Sequence, residues 1–446
     1  MSKSLAPDSL ASIPFAEWSL AQWLYYLETL HPVGIDMGLE RVSAVAKRMG
    51  LLGRPIAKQV ITVAGTNGKG STLAMMDAVA RAHGLRVGTY TSPHLVRYNE
   101  RVTINGQQAS DQQLVAGFSH VEAARCQSPN ISLTYFEAGT LCALWCLANE
   151  ALDLMLLEVG LGGRLDAVNI IDADVGIVTT IAQDHANFLG NDIAQIGREK
   201  AGIFRPSRPA VLGSLSLPSS VAAVAAAMSA PVYGLGDAFD HAAEASKAQS
   251  EARGGTWCWR GRTRKGNTFS LASLPDPGLP IDNAATALQA LSLTGLALDE
   301  DACRHAFHTV QLPGRMQWIG QWCLDVGHNP HAANYVAERL PVVPEGGRQW
   351  ALIGMLNDKD VEGVIRALLP RITDWVCVTL DGDRGRPASE LAASIASLGG
   401  HVYDCADSPN AGMHLIASQL VAADRVLATG SFFTVAALLE ETLPQA

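Results

Sequence analysis

At 446 residues the chain exceeds one ordinary hydrophobic core, and two or three domains are expected. Its formal net charge of −10 leaves no broad basic surface, which excludes a general nucleic-acid binder. A hydrophobic content of 48% fits a globular enzyme. No apolar run is long enough to span a bilayer, so a cytoplasmic chain with no membrane partner is expected.

Between about 15 and 30, Trp18, Trp23, Leu24, Leu27 and Leu30 recur at helical spacing and mark an amphipathic helix. Asp36-Met37-Gly38-Leu39-Glu40-Arg41-Val42 then reads as a turn feeding a second helix. The β-branched run 59–64 ends in Gly65-Thr66-Asn67-Gly68-Lys69-Gly70-Ser71, and a helical pattern starts at Ser71-Thr72. Glycines let successive N–H groups point into one concave anion site, and the positive end of the next helix adds to that field. Lys69 would bring a mobile charge to the outer phosphates, and Ser71 or Thr72 a hydroxyl. The spacing departs from the common phosphate-loop pattern: Val63 stands where the first glycine would be, and Gly70 separates Lys69 from Ser71. A nucleoside-triphosphate site is the reading.

Three more strand-like runs end in polar clusters. Residues 86–91 lead to Ser92-Pro93-His94, 154–159 to Glu158 and Gly160, Gly162 and Gly163, and 175–181 to Asp184-His185. Helical patterns separate most of them, which predicts a parallel sheet with the clusters on one rim. Triphosphate chemistry needs a divalent cation. Glu158, closing an apolar strand, must face a cation or an arginine, and Arg164 is the arginine on offer. His185 is a softer ligand than magnesium prefers and leaves room for manganese. Lys200, in Gly197-Arg198-Glu199-Lys200-Ala201-Gly202, reads on sequence physics as a charge complementing the end of a helix.

The stretch 236–280 suggests loops and short strands, with Arg253, Arg260, Arg262, Arg264 and Lys265 on a solvated hairpin. Eight cysteines without a C-x-x-C pair predict reduced, mostly buried thiols. A linker is expected near Leu312-Pro313-Gly314-Arg315. Beyond it, strands ending at Leu324 and spanning 350–355, 375–380, 401–404 and 425–429 alternate with helices. The fold class is therefore α/β: an N-terminal P-loop-type parallel-sheet ATPase domain over 1–310, and a C-terminal Rossmann-like doubly wound α/β domain over 311–446.

These motifs together closely resemble the family of bacterial bifunctional dihydrofolate synthase/folylpolyglutamate synthases, relatives of the Mur ligases. The likeness runs from about Trp23 to near the C-terminus. It rests on Asp36 to Val42, Gly65 to Ser71, Ser92 to Arg97, Thr134-Tyr135-Phe136-Glu137, Leu157 to Ala167, Asp184-His185 and Arg198 to Phe204. Leu312 to Arg315, Asp325 to Pro330 and Ile353-Gly354-Met355-Leu356 complete it.

The resemblance implies that the loop around Lys69 holds ATP and that Ser92, Glu158 and His185 bind magnesium. It also implies that Lys200 carries a carbamate made from carbon dioxide, able to coordinate a second magnesium. Catalytic roles would fall to Lys69, Lys200, His185 and Arg315. Asn283, Arg315 and Asp325 match ATP-contacting positions. The pterin would meet Asp36, Met37, Gly38 and Leu39, then Thr134, Tyr135, Phe136 and Glu137, and the loop Arg164, Leu165, Asp166 and Ala167. His328 and Ser431 match positions near the glutamate end. Two departures stand out: Gly327 replaces the alanine more usual before His328, and Phe433 stands where a histidine often follows Gly-Ser-Phe.

The expected activity is ATP-dependent addition of L-glutamate to dihydropteroate and to tetrahydrofolate or its polyglutamates, through an acyl phosphate, by a chain that suffices as a monomer. A monofunctional folylpolyglutamate synthase, or another Mur-type amide ligase, is the alternative. A peptidoglycan ligase would carry a UDP-sugar domain before the phosphate loop, and the 64 residues preceding Gly65 are too few for it. A P-loop kinase or nucleotide switch would leave the second domain unassigned.

Overall fold

The computed structural model describes residues 15–31, 36–183, 190–244 and 255–441. Two compact units divide the chain. The first holds most residues up to Val310; the second runs from Gln311 onward and includes the short segment Leu95–Tyr98.

In chain order, the first unit carries strands β1 (Gln59–Ala64), β2 (Val87–Tyr90), β3 (Val102–Ile104), β4 (Gln107–Gln108), β5 (Leu154–Glu158), β6 (Val175–Val178), β7 (Ala210–Leu212), β8 (Val232–Gly234), β9 (Asp240–Ala243), β10 (Thr256–Arg262) and β11 (Thr268–Pro275). The first eight form one sheet in the order β4-β3-β2-β5-β1-β6-β7-β8. From β2 to β8 the pairing is parallel. In β1 every residue after Gln59 is buried, as expected where helices cover both faces of a parallel sheet.

The sheet's other edge is antiparallel, with β3 pairing both β2 and β4. Asn105 and Gly106, both at positive φ, turn β3 into β4. An Asn-Gly pair suits that turn because neither residue meets the usual steric penalty there. The basic stretch beyond Gly255 lies on the antiparallel β10–β11 hairpin, to which β9 adds a third strand; Arg253 lies outside the described residues.

The second unit adds β12 (Gln317–Ile319), β13 (Trp322–Leu324), β14 (Gln349–Ile353), β15 (Asp374–Val378), β16 (Val402–Ala406) and β17 (Arg425–Thr429), in the order β12-β13-β17-β14-β15-β16. All neighbours from β13 to β16 are parallel, while β12 is an antiparallel edge. One apolar cluster joins this sheet to helices 330–339, 361–368 and 388–397. The other joins it to helices 409–417 and 432–439. Helices on both faces of a parallel sheet make a doubly wound layer, whose ligands sit beyond the carboxyl ends of the strands.

Candidate functional site

The phosphate-type loop leaves β1 at Ala64 and enters the helix Lys69–Ala82. Side chains of the segment after β6 hold it open: Thr180 Oγ1 accepts from Asn67 N at 3.1 Å, and Thr179 Oγ1 donates to Asn67 O at 2.7 Å. Thr66 Oγ1 bridges Ala182, donating to its carbonyl and accepting from its N–H. A Cβ on Gly65 would stand 1.9 Å from Thr179 Oγ1, so only glycine fits there. Gly68, at φ +86° before the helix, has Asn283 against it. Asn283 Nδ2 donates to Ser71 Oγ at 2.8 Å. Lys69 Nζ folds over the loop, donating to Gly65 O at 3.0 Å. The result is a half-buried cradle of N–H groups and one ammonium.

Beside it, at the end of β5, Glu158 is buried and its Oε2 accepts from Ser92 N at 3.3 Å. Arg164, the arginine the sequence offered as an alternative to a cation, pairs elsewhere. Arg164 binds Glu199 Oε1 through Nη2 at 2.8 Å, because its own N–H is tied to Glu199 O at 2.8 Å. That pairing draws the β5 loop onto the helix Ile193–Ala201. Gly163 makes the approach feasible, since a Cβ there would lie 2.7 Å from Glu199 O. Lys200 consequently does not extend into water as a helix-end charge. It is only 5% exposed, and its Nζ donates to Gly65 O at 3.1 Å. His185 lies outside the described residues. Among the described residues no three His, Cys, Asp or Glu side chains gather as a metal cluster.

A second wall joins segments far apart in sequence. Thr134 caps the helix Tyr135–Ala148 in a capping box: Glu137 N donates to Thr134 Oγ1, and Thr134 N donates to Glu137 Oε2 at 2.8 Å. The remaining oxygen, Glu137 Oε1, accepts from Arg41 Nη2 at 3.1 Å, and Arg41 Nη1 reaches Asp36 at 2.5 Å. Asp36, Met37, Gly38 and Leu39 form the segment entering the helix Glu40–Arg48. Phe136 lies so close to Gly160 that a Cβ there would be 2.5 Å from its ring.

Asp166 is buried at the start of the turn Ala167–Ile170 and accepts from Leu161 N and Val168 N. Burial pushes its carboxyl up to about 6, against the pull of those N–H groups and Lys69. Leu165 and Ala167 flank it. Tyr90 OH lies 3.2 Å from Thr140 Oγ1, and burial pushes that phenol up to about 12. Arg101 Nε donates to His94 Nδ1 at 2.8 Å and stands over the Tyr135 ring. Burial, with Arg101 adding to it, lowers His94 to about 4, so it stays neutral near pH 7.

In the second unit both oxygens of buried Asp325 accept backbone N–H groups, from Met316 at 2.9 Å and Gly327 at 2.7 Å. Asp325 thereby fixes the loop that carries Arg315, whose guanidinium lies 5.1 Å from the Phe432 ring centre. An alanine at 327 would put its Cβ 2.8 Å from Asp325 Oδ1, so glycine permits the closer approach. His328 Nδ1 stands 3.0 Å from Val326 O, and its ring faces Phe432. Ser431 Oγ caps the last helix by accepting from Phe433 N, and Phe433 itself is 62% exposed.

Sequence reasoning assigned no role to Arg41 or Arg101. Arg41 lies inside the Asp36–Val42 motif, and the T-x-x-E spacing at 134–137 is a local signal for the capping box; nothing local points to Arg101.

A phosphate-type cradle on a mostly parallel sheet, with a doubly wound unit after it in the chain, fits a Mur ligase-type protein, and the family matches agree. Residues 63–257 match the Mur ligase middle domain and 314–432 the Mur ligase glutamate ligase domain. The chain is 45% identical over 432 residues to the dihydrofolate synthase/folylpolyglutamate synthase of Escherichia coli strain K12, covering 96% of each. Among solved structures it is similar to E. coli FolC in complex with DHPP and ADP, with 44% identity, 96% of this chain and 98% of that one covered, and a TM-score of 0.87. A bifunctional folylpolyglutamate synthase/dihydrofolate synthase with Mn, AMPPNP and L-glutamate bound matches at 42% identity over 96% and 98% of the two chains, with a TM-score of 0.85. The chain belongs to the dihydrofolate synthase/folylpolyglutamate synthase family. No described helix is long and apolar enough to cross a membrane.

Proposed function

We propose that this chain joins L-glutamate to dihydropteroate and, in the same site, to tetrahydrofolate or its polyglutamates, consuming ATP. The observation that carries the reading is the cradle Gly65–Ser71 with Lys69 over it and buried Lys200 on the same Gly65 carbonyl. The family relationship supports it, as does the ADP, AMPPNP and L-glutamate carried by related structures.

In this reading a carboxylate of the folate precursor attacks the γ-phosphorus of ATP and ADP leaves. The glutamate amine then attacks the acyl carbon, giving an amide, phosphate and a proton. Gly65, Thr66, Asn67, Gly68, Lys69, Gly70, Ser71 and Asn283 hold the nucleotide, with Arg315 acting on its phosphates and Asp325 setting the Arg315 loop. Catalysis is electrostatic positioning: Lys69 swings from the Gly65 carbonyl to the phosphates as charge builds there.

Ser92 hydroxyl and Glu158 carboxylate form a hard oxygen donor set, which fits a divalent ion such as magnesium; His185 and a Lys200 carbamate would complete two sites. The metal, when bound, neutralises phosphate charge. Carbamylation would turn the buried Lys200 on the Gly65 carbonyl from an ammonium that repels a metal into an oxygen ligand. The pterin meets the Asp36–Leu39, Thr134–Glu137 and Arg164–Ala167 segments, and His328 and Ser431 serve the glutamate end.

The test is ATP turnover by purified protein. Phosphate release is expected to need both glutamate and a folate compound, with dihydropteroate and tetrahydrofolate competing. Turnover on tetrahydrofolate alone, with dihydropteroate inert, would reduce the assignment to a folylpolyglutamate synthase. Turnover that needs neither would remove it.

A further inference from the structure

Cys377 and Cys405 face each other on adjacent parallel strands. In the β15–β16 ladder they are direct partners, between Val376↔Asp404 and Val378↔Ala406. In-register partners on parallel strands project to the same side of the sheet. The packing agrees: Cys377 belongs to the apolar cluster containing Ala388, Leu391 and Ile395, and Cys405 Sγ lies 3.8 Å from Ala388 O. The two thiols therefore sit side by side under the helix Ala388–Ser397. They differ in access, since Cys377 is fully buried and Cys405, on the edge strand, is exposed.

We infer that Cys377 and Cys405 form a reversible thiol-oxidation site, in which exposed Cys405 reacts first with a small-molecule disulfide and buried Cys377 resolves it. Cys405 thiolate attacks one sulfur of the disulfide, forming a mixed disulfide and expelling one thiolate. Cys377 then attacks Cys405 Sγ, its proton passing to the departing sulfur, which leaves as the second thiol. Two protein thiols are oxidised and one disulfide is reduced to two thiols, so atoms and electrons balance.

Adjacent strands lie about 4.8 Å apart, inside the Cα range a disulfide tolerates. Excess small-molecule thiol runs both exchange steps backwards, which makes the oxidation reversible. Partial burial, with Asp404 adding to it, raises the Cys405 thiol, and the neighbouring Cys377 thiol pulls the other way. The first step is therefore slow and shows at raised pH or disulfide excess.

The experiment incubates folded protein with glutathione disulfide, alkylates remaining thiols after denaturation, and digests with trypsin. Trypsin cuts after Arg371, Arg384 and Arg425 but not between Arg386 and Pro387, so Cys377 and Cys405 fall on separate peptides that a bond between them links. The expected result is a linked pair that dithiothreitol separates. C377S should stop at a glutathionyl adduct on Cys405, and C405S should leave Cys377 unmodified. Wild-type protein in which Cys405 stays alkylatable, or holds its adduct without ever linking to Cys377, would overturn the inference.

Discussion

Lys200 donates through Nζ to the carbonyl oxygen of Gly65 at 3.1 Å, a contact between residues 135 positions apart. It places a buried lysine against the loop proposed to hold ATP. A bare ammonium and a carbamate make opposite predictions there. With a carbamate, Lys200→Ala removes a metal ligand and should lower kcat by at least about 100-fold, the usual scale for losing a preorganised charged group. Short carboxylic acids such as acetate should restore part of it by filling the vacated site. Loss without rescue, together with full activity in carbon-dioxide-free buffer, would leave Lys200 as a plain ammonium.

Glu158→Gln tests the metal reading at the end of β5. The shape is kept, and the amide can still accept from Ser92 N. Activity should fall roughly 10- to 100-fold, in line with the cost of disturbing a metal's ligand shell, and the magnesium concentration for half-maximal rate should rise. Arg164 is engaged with Glu199, so the variant breaks no Arg164–Glu158 pair. A drop in Tm with an unchanged magnesium requirement would point to a structural carboxylate instead.

The parts legible in sequence were those whose signal is local. The loop Gly65–Ser71 declares itself because its glycines, lysine and hydroxyls are contiguous. The five main strands of the second unit were visible as apolar runs between helical patterns. Two local signals went unread: Asn105-Gly106, which turns β3 into β4, and the Thr134–Glu137 capping spacing. Pairings across long separations could not be read from spacing at all. Arg41 meets Glu137 across 96 residues, and Arg164 selects Glu199 over the nearer Glu158 because its backbone is already bonded to Glu199.

Glu137 serves two partners, Thr134 N and Arg41, so its truncation should show in both stability and substrate use. Glu137→Ala loses the capping box and leaves Arg41 short of one carboxylate, costing on the order of 1–3 kcal/mol. Glu137→Gln keeps an acceptor for Thr134 N and should recover much of the Tm. In both variants KM for dihydropteroate should rise while KM for ATP stays near wild type. Equal rises in both constants would mean that the wall does not contact the pterin.

Asp166 gives the pH prediction. Its carboxyl ionises near 6 in the fold, against an ordinary value of 3.8, chiefly because burial disfavours the charged form. The folded state thus binds more protons than the unfolded state between about pH 4 and 6. Stability from this group is therefore fully present below pH 4 and is lost as pH rises through 6, by on the order of 3 kcal/mol. Denaturant titrations of wild type and Asp166→Asn should show wild type losing ground to the variant across that window. Function runs the other way, because an ionised Asp166 accepts from a pterin N–H more strongly than a protonated one. The ratio of wild-type to Asp166→Asn kcat/KM for dihydropteroate should rise through about pH 6, with ionisations of ATP and glutamate cancelling. A flat ratio would mean that Asp166 braces the Leu161–Val168 turn and makes no charged contact with the substrate.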